Sequence, residues 1–594
     1  MIKKTASPLW IYPEKNEKWK KEIVQEFSIH PITAQVLISR GFTNLEDIHQ
    51  FLYGKLPSLH SPFLFPEMEK AVRRIFLALQ KKERILVYGD NDVDGMTGAA
   101  LLTELLENLQ ADVLYYLSNR EDIKNHMIEN AVTFAEKNHC SLLITVDCGI
   151  TAHKEIRTAF EKQIDVIITD HHEPVSTIPE CVATLNPKLI GNNYPNKELT
   201  GVGVAFKLAH ALLDTLIKED RIGKNQIDLK DFLDLVAMGT ISDMGALVDE
   251  NRILVRYGLK AFETSKRVGL VKLLESCDVS PAKITTNEIA SKIAPRLNSL
   301  GRIADPNKGV ELLLCKEERK AQSLAQELNL HNIERQTIER KAALDIEKLL
   351  RKNPHLLKEK ALILYSDKWH PGIIPILAAK LSKQYNRPTI IIAVENGVGK
   401  GSARTITEFP LLPMLKKQKE LLLNFGGHNF AAGLTIKKED IAAFRKGFLH
   451  SANESLKERD LLVKLYLDAE ANFEDLTFDF MESLQLLEPF GNENPPPILY
   501  AEAEQTWAPK VIGDHHLKMF LEQKDRGLEA IGFNLSARKG QLKKKKTRLK
   551  LAFTPYVNVF RNKQSIQLQI KDFKVLKEKI PEEALKTSPE KSKT

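Results

Sequence analysis

At 594 residues the chain is long enough for several domains, on the order of three to five at typical sizes. Its 43% hydrophobic and 28% charged residues describe an ordinary soluble protein in which a packed core forms readily. The formal charge of +8 permits a polyanionic partner without demanding one, and five scattered cysteines without CxxC spacing exclude a disulfide framework or a cysteine zinc site. The first residues hold no apolar run of signal-peptide length, and no run approaches a membrane span. A soluble cytoplasmic protein with no membrane partner is expected.

Residues 1–65 read as an N-terminal helical segment, with small helices starting near 31–37 and 45–48, and suggest no chemistry. A helix over 67–81 leads to the stretch on which the rest depends. There an apolar run, Ile85-Leu86-Val87-Tyr88, ends at Gly89 and gives way to Asp90, Asp92, Asp94 and Gly95, then to a helix rich in small residues and leucine. A buried strand feeding a carboxylate-rich turn at a helix N-terminus is where an open α/β sheet places its chemistry. Three anionic groups on one turn are tolerable when hard cations neutralise them. An EF-hand opens with the same pattern, but it needs a helix in front and a Glu at position twelve, where this chain has Leu101. A solvated acidic turn is the bland alternative.

Strands and helices then alternate: a strand over 112–117, a helix over 128–137, and a strand over 141–146 ending at Asp147-Cys148. After a helix over 151–162, a strand over 165–169 ends at Asp170-His171-His172. Such alternation indicates a parallel sheet covered on both faces, whose strand ends converge on one crevice. Helices dominate from 202 to 262, and Asp243 follows another apolar run; taken alone, an Asp there is more often a cap. The catalytic α/β unit is bounded at 66–265 and a helical connector at 266–358. The connector contains a long charged helix over 321–351, whose charges read as a solvated face.

A second α/β unit is expected over 359–455. In it, residues 399–404 (GKGSAR) and 425–428 (FGGH) read as tight glycine turns carrying cationic or hydrogen-bonding groups suited to phosphate. Short strand-like runs over 463–467, 517–521, 528–533, 548–553 and 565–570 suggest an OB-type barrel within 456–575. Lys543–Lys546 read as a loop that could touch phosphates, and 576–594 as a disordered tail.

In order along the chain stand GDNDVDGMT at 89–97, ITVDCGI at 144–150, ITDHHEP at 168–174, LTGVGVAFKLA at 199–209 and AMGTISDMGALVDENR at 237–252. They are followed by APRLNSLGR at 294–302, WHPGI at 369–373, GKGSARTI at 399–406, FGGHNFAAGL at 425–434, LEPFGNENPPP at 487–497 and SIQLQIKDF at 565–573. This ordered set resembles the bacterial RecJ exonuclease family of the DHH phosphoesterase superfamily, over about 60–575. The resemblance implies two α/β domains (DHH and DHHA1 type) joined by a long helix, plus a C-terminal OB-type β-barrel. It implies a metal-dependent 5′→3′ exonuclease that degrades single-stranded DNA to 5′-mononucleotides in DNA repair and recombination, by hydroxide attack between two divalent cations, Mn²⁺ or Mg²⁺. Asp90, Asp92, Asp94, Asp147, His171 and Asp243 would be the metal ligands, with Asp147 bridging. His172 would sit beside the scissile phosphate. Arg120, Ser402 and Arg404 would hold the 5′-phosphate, Arg296 and Asn298 would line the strand's path, and Gly426, Gly427 and His428 would close the site. A single-strand-binding protein and a helicase are the implied partners, and a monomer is the default state.

The chain departs from the family where EDIKNHMI follows Arg120 in place of a glycine-tyrosine-glycine turn; Asn91 replaces an aromatic and Cys148 an Asn. Two other functions remain: a phosphodiesterase acting on short oligonucleotides or cyclic dinucleotides, and a binding factor with a dead site. The barrel argues against the first and the full ligand set against the second.

Overall fold

The computed structural model describes residues 7–119, 127–174, 177–543 and 546–576. Two compact units emerge: Gly54–Leu461 with Pro489–Pro495 form one, and Thr5–Tyr53, Leu462–Glu488 and Pro496–Thr594, as far as these are described, form the other. Arg120, Lys544, Lys545 and the expected tail from 577 onward lie outside the described residues.

In the first unit, five parallel strands form one sheet: Arg84–Gly89, Val113–Leu117, Cys140–Val146, Asp165–Thr169 and Ala183–Leu185. Numbered in chain order, they lie as 2-1-3-4-5, so the winding reverses between the first and third strands. Near-continuous burial of Ile85–Tyr88 and Leu142–Val146 is the signature of strands covered on both faces. Helices Val93–Asn108, Gly201–Lys218 and Leu233–Ser242 pack on one face through Met96, Leu101, Val202, Ala205 and Val236; helices Met127–Lys137 and His153–Glu161 cover the other through Val132 and Ile156.

Helix Glu318–Lys352 runs 35 residues, on the order of 50 Å at 1.5 Å per residue. Leu324, Ala325 and Leu328 near its start belong to the core of this first sheet, whereas Ala342, Ile346 and Leu350 belong to the core of the next. Its charges are not all solvated, contrary to expectation. Asn332, Arg335 and Glu339 are buried, with Arg335 bonded to both neighbours and Lys380 paired with Glu339. Between two apolar contact zones the helix needs a fully paired polar step, which sequence periodicity does not reveal.

The second sheet runs Leu422–Gly427, Ala431–Lys437, Val398–Arg404, Thr389–Glu395, Leu362–Ser366, with only the last pair parallel. Here the two glycine-rich segments are strands, not turns. A Cβ on Gly399 would lie 2.7 Å from Ile392, and one on Gly401 2.6 Å from Leu434. The glycines give neighbouring aliphatic side chains room across the sheet face.

The other unit is a closed barrel. Strands Leu499–Gln505, His516–Gln523, Arg526–Gly532, Thr547–Phe560 and Lys563–Val575 pair so that the third and fifth are parallel. Pairing of Glu504 and Gln505 with Glu522 and Leu521 closes the ring, giving the expected OB connectivity. The strand expected over 463–467 instead pairs, as Lys464–Tyr466, with Leu9–Ile11. Trp10 explains this: it is buried beside Leu467, Tyr500 and Ala552, and its indole N–H donates to Asp572 at 2.6 Å.

A buried ion pair fixes the helices behind the first sheet. Lys207 and Glu250 have fully buried side chains and bond each other; Glu250 also accepts from Tyr194 Oη at 2.6 Å, and Lys207 donates to His60 O at 2.7 Å. Lys207→Met strands a buried carboxylate and should cost about 3–5 kcal/mol in urea unfolding followed by circular dichroism. A cost under about 1 kcal/mol, the range of exposed pairs, would contradict this role.

Candidate metal centre and nucleic-acid cleft

The parallel ladder continues one residue beyond the strands. Asp90 N donates to Val146 O (3.1 Å), Asp147 N to Thr169 O (2.9 Å) and Asp170 N to Leu185 O (3.0 Å). Three aspartates therefore stand side by side at the carboxyl edge, with Asp90 and Asp147 flanking the point where the winding reverses, the usual ligand crevice of such sheets.

Local structure then aims the rest. Asp92 caps helix Val93–Asn108, its Oδ1 accepting from Asp94 N (2.9 Å) and Gly95 N (3.3 Å). Asp94 is fully buried and accepts from Gly201 N (2.6 Å) and Val202 N (2.9 Å) at the start of the next helix. A Cβ at Gly201 would fall 2.4 Å from Asp147 Cβ, so only glycine lets that helix approach. Asp147 itself has φ +62°, a left-handed conformation that costs about 1–3 kcal/mol and marks a constrained functional site. Asp243 ends helix Leu233–Ser242.

His171 Nε2 lies 3.0 Å from Asp147 Oδ1, 3.6 Å from Asp243 Oδ2 and 3.9 Å from Asp94 Oδ2. Three sets of ligand atoms each fall within 4.8 Å: Asp147, His171 and His172; Asp94, His171 and Asp243; Asp90, Asp92 and Asp147. Asp90 Oδ1, Asp147 Oδ1 and His171 Nε2 are buried yet have no hydrogen-bond partner among the described residues. The 3.0 Å His171–Asp147 contact is close but misaligned for a hydrogen bond. Atoms so placed converge on shared points, as metal ligands do.

Electrostatics agrees. Burial, reinforced by Asp92, pushes Asp90 up to about 7. Burial and Asp92 likewise push Asp243 up to about 7. Burial with Asp243 and Asp92 raises Asp94, and burial with Asp94 and Asp92 raises Asp147. Burial, aided by His172, lowers His171 to about 3, leaving a neutral imidazole able to coordinate. Oxygen donors with one imidazole suit Mn²⁺ or Mg²⁺; burial keeps the Cys148 thiol protonated and out of the set.

Asp170 plays a different part, one with no sign in the sequence. Its Oδ2 accepts from Ile150 N (2.9 Å), and its Oδ1 from His171 N (2.7 Å), His172 N (3.0 Å) and His172 Nδ1 (2.8 Å). Burial opposes its charge, but these bonds prevail and hold it below the usual range. Burial also opposes charge on His172, yet Asp170, Asp90 and Asp243 prevail and raise it to about 9. His172 is thus an oriented cation at the mouth, stacked on His428 of the second α/β domain with ring centroids 6.0 Å apart.

A cavity of about 770 Å³ adjoins this mouth, lined by Asn119, Arg302, His370, Lys400, Ser402, Arg404 and Gly427 among others. Burial lowers the Arg404 guanidinium, which donates to Ala403 O at 2.8 Å and Ser402 Oγ at 3.3 Å; Asp305 and Glu395 also line the cavity. Gly427, at φ +127°, leads into His428, whose N–H donates to Ala431 O at 2.7 Å; Gly426 stands open beside it. The structure therefore brings together all seven aspartate and histidine candidates with His428, and places Ser402 and Arg404 in the adjoining cavity. Arg296 and Asn298 lie on helix Ala294–Ile303, which meets the turn after Asp92. Arg296 bonds Lys292 O and Asn329 Oδ1, tying two helices, while Asn298 Oδ1 accepts from Val93 N and holds the turn after Asp92. Arg302 and His370 lie in motifs the sequence displays, but nothing local marks them as cavity-lining.

Residues 84–240 match the DHH family, N-terminal domain, residues 358–454 the DHHA1 domain and residues 467–572 the RecJ OB domain. The single-stranded-DNA-specific exonuclease RecJ of Bacillus subtilis (strain 168) is 34% identical over 570 residues, covering 95% of this chain and 70% of that protein. The Escherichia coli (strain K12) protein of the same description is 32% identical over 556 residues, 91% and 95% of the two chains. Crystal structures of RecJ from Thermus thermophilus in complex with Mn²⁺ and with Mg²⁺ superpose with TM-scores of 0.81 and 0.73 at 28% and 26% identity. Each covers 95% of this chain, and 79% and 78% of the respective solved chains. The chain belongs to the RecJ family.

Proposed function

We propose that the chain is a metal-dependent 5′→3′ exonuclease that hydrolyses single-stranded DNA to 5′-mononucleotides and serves DNA repair and recombination in the cytoplasm. The observation that carries this reading is the convergence of Asp147 Oδ1 and His171 Nε2, buried and unpartnered among the described residues, with Asp90, Asp92, Asp94 and Asp243. Asp90, Asp92, Asp94, Asp147, His171 and Asp243 would hold the divalent cations, and Asp147 and His171 each belong to two of the overlapping ligand sets. Bound there, such ions supply a lowered pKa for attacking water and neutralise charge on the phosphate.

The chain's own residues do the rest. Arg404, Ser402 and the cavity backbone bind the 5′-phosphate, and Gly426–His428 seat the terminal nucleotide. His172, its Nδ1 held by Asp170, presents its other nitrogen to the scissile phosphate. Water attacks phosphorus opposite the 3′-oxygen, the P–O3′ bond breaks, and a nucleotide leaves with its 5′-phosphate. The shortened strand again bears a 5′-phosphate and re-enters the same cavity. Stacking and phosphate contacts on the OB barrel hold the strand beyond the site. The protein works as a monomer beside a single-strand-binding protein and a helicase.

A 3′-labelled single strand bearing a 5′-phosphate should shorten from its 5′ end with Mn²⁺ or Mg²⁺, and remain intact with chelator or with Asp147→Ala. A matched duplex should resist. Binding without shortening under every metal would instead establish a strand-holding protein.

Arg404→Ala removes a charge-assisted contact of about 1.5–3 kcal/mol, so KM for a 5′-phosphorylated strand should rise roughly 10- to 100-fold. The preference over a 5′-hydroxyl strand should collapse. An unchanged preference would place the 5′ end elsewhere.

A further inference from the structure

Residues Pro489–Pro495 belong to the unit that carries the carboxylate centre, although Leu462–Glu488 before them and the chain from Pro496 after them belong to the barrel unit. Within the first unit, these seven residues pack on the turn that follows Asp243. Leu247 N donates to Asn492 O at 2.9 Å, and Asn492 Nδ2 donates to Met244 O at 2.7 Å, so one residue grips both ends of the turn. Behind it, Arg252, 1% exposed, reaches Pro489 O at 3.3 Å, and Thr286 Oγ1 donates to Phe490 O at 2.6 Å. Asn494 Nδ2 donates to Pro489 O at 2.8 Å and closes the segment on itself. Gly491 lies against Leu247, where a Cβ would stand 2.5 Å from the leucine side chain.

The turn is held at both ends of its exposed tip: Met244 adopts φ +59° and is 70% exposed, Gly245 N donates to Thr240 O at 2.9 Å, and Ala246 and Leu247 are buried. Asp243, directly before it, has Oδ2 3.6 Å from His171 Nε2, and its ligand atom lies within 4.8 Å of those of Asp94 and His171, so any shift of the turn moves the carboxylate out of that set. We propose that Asn492 is a positioning residue for the metal centre: with Pro489–Pro495 it latches the Met244–Leu247 turn so that Asp243 stays in the ligand set. Completion of the metal centre then depends on a segment nearly 250 residues further along the chain than the ligand it steadies. The inference rests on the reading of Asp243 as a metal ligand.

The test uses the full chain. Mn²⁺ binding is followed by the electron paramagnetic resonance of free Mn²⁺, and hydrolysis of a 5′-phosphorylated single strand is measured in parallel for wild type, Asn492→Ala and Glu493→Gln. Loss of a bond that orients a ligand lowers metal affinity about 10- to 100-fold. Asn492→Ala should therefore weaken Mn²⁺ binding by that factor and lower kcat at limiting Mn²⁺, with KM for DNA unchanged and kcat restored by excess Mn²⁺. Glu493→Gln, in the same segment, should match wild type. Wild-type affinity in Asn492→Ala overturns the latch, as does a raised KM with unaltered Mn²⁺ binding, which would make the segment a DNA contact. A wild-type protein that binds no Mn²⁺ overturns the functional reading itself.

Discussion

Burial of several carboxylates in one crevice, reinforced by their mutual repulsion, is the constraint on which this structure turns. Two like charges 4 Å apart cost about 4 kcal/mol at an effective dielectric constant of about 20, and Asp90, Asp92, Asp94, Asp147 and Asp243 crowd one crevice. A fold that holds them there spends stability on function. It does so with rigid devices: a parallel ladder running past the strand ends, a helix N-terminus clasping Asp94, and a left-handed Asp147 wedged against Gly201. Each removes a route by which the carboxylates could separate.

The same logic divides labour between the histidines. His171 is buried and lowered to about 3, which favours the neutral imidazole a ligand needs, while His172 is anchored by Asp170 and raised to about 9. Adjacent residues of one type take opposite roles because Asp170 bonds only the ring of His172. The second α/β domain then adds what the first lacks: His428 over His172, and the buried Arg404 in the adjoining cavity.

Much of this was legible in the chain. The apolar runs ending in aspartates announced the parallel sheet and its crevice, and the proline-free stretch after Ala321 announced the linking helix. Four of the five barrel strands showed in their short spacing, whereas Leu499–Gln505 did not and the run over 463–467 pairs with Leu9–Ile11 instead. What stayed hidden was contact across long sequence distance. Gly399 and Gly401 look like turn residues until Ile392 and Leu434 are seen to need their space. Arg296 and Asn298 also tie their helix to its neighbours, through hydrogen bonds to Lys292, Asn329 and Val93 that no local pattern reveals. The grip of Asn492 on the turn after Asp243 has no local signature at all.

The crevice is strained by buried charge and relieved by divalent cations if the thermal midpoints of Asp147→Asn and wild type at pH 8 change order between chelator and Mn²⁺. Asn tolerates the left-handed backbone at this position, so the substitution removes charge with little change of shape. The folded-state pKa of Asp147 lies above its unfolded value, so the folded protein holds that proton more tightly and loses stability as pH rises from the unfolded pKa through the folded one. At pH 8 in chelator, Asp147→Asn should therefore melt above wild type, and in Mn²⁺ below it, with the chelator gap shrinking toward pH 5. A variant that melts below wild type in chelator, or a wild type that gains nothing from Mn²⁺, would contradict the account.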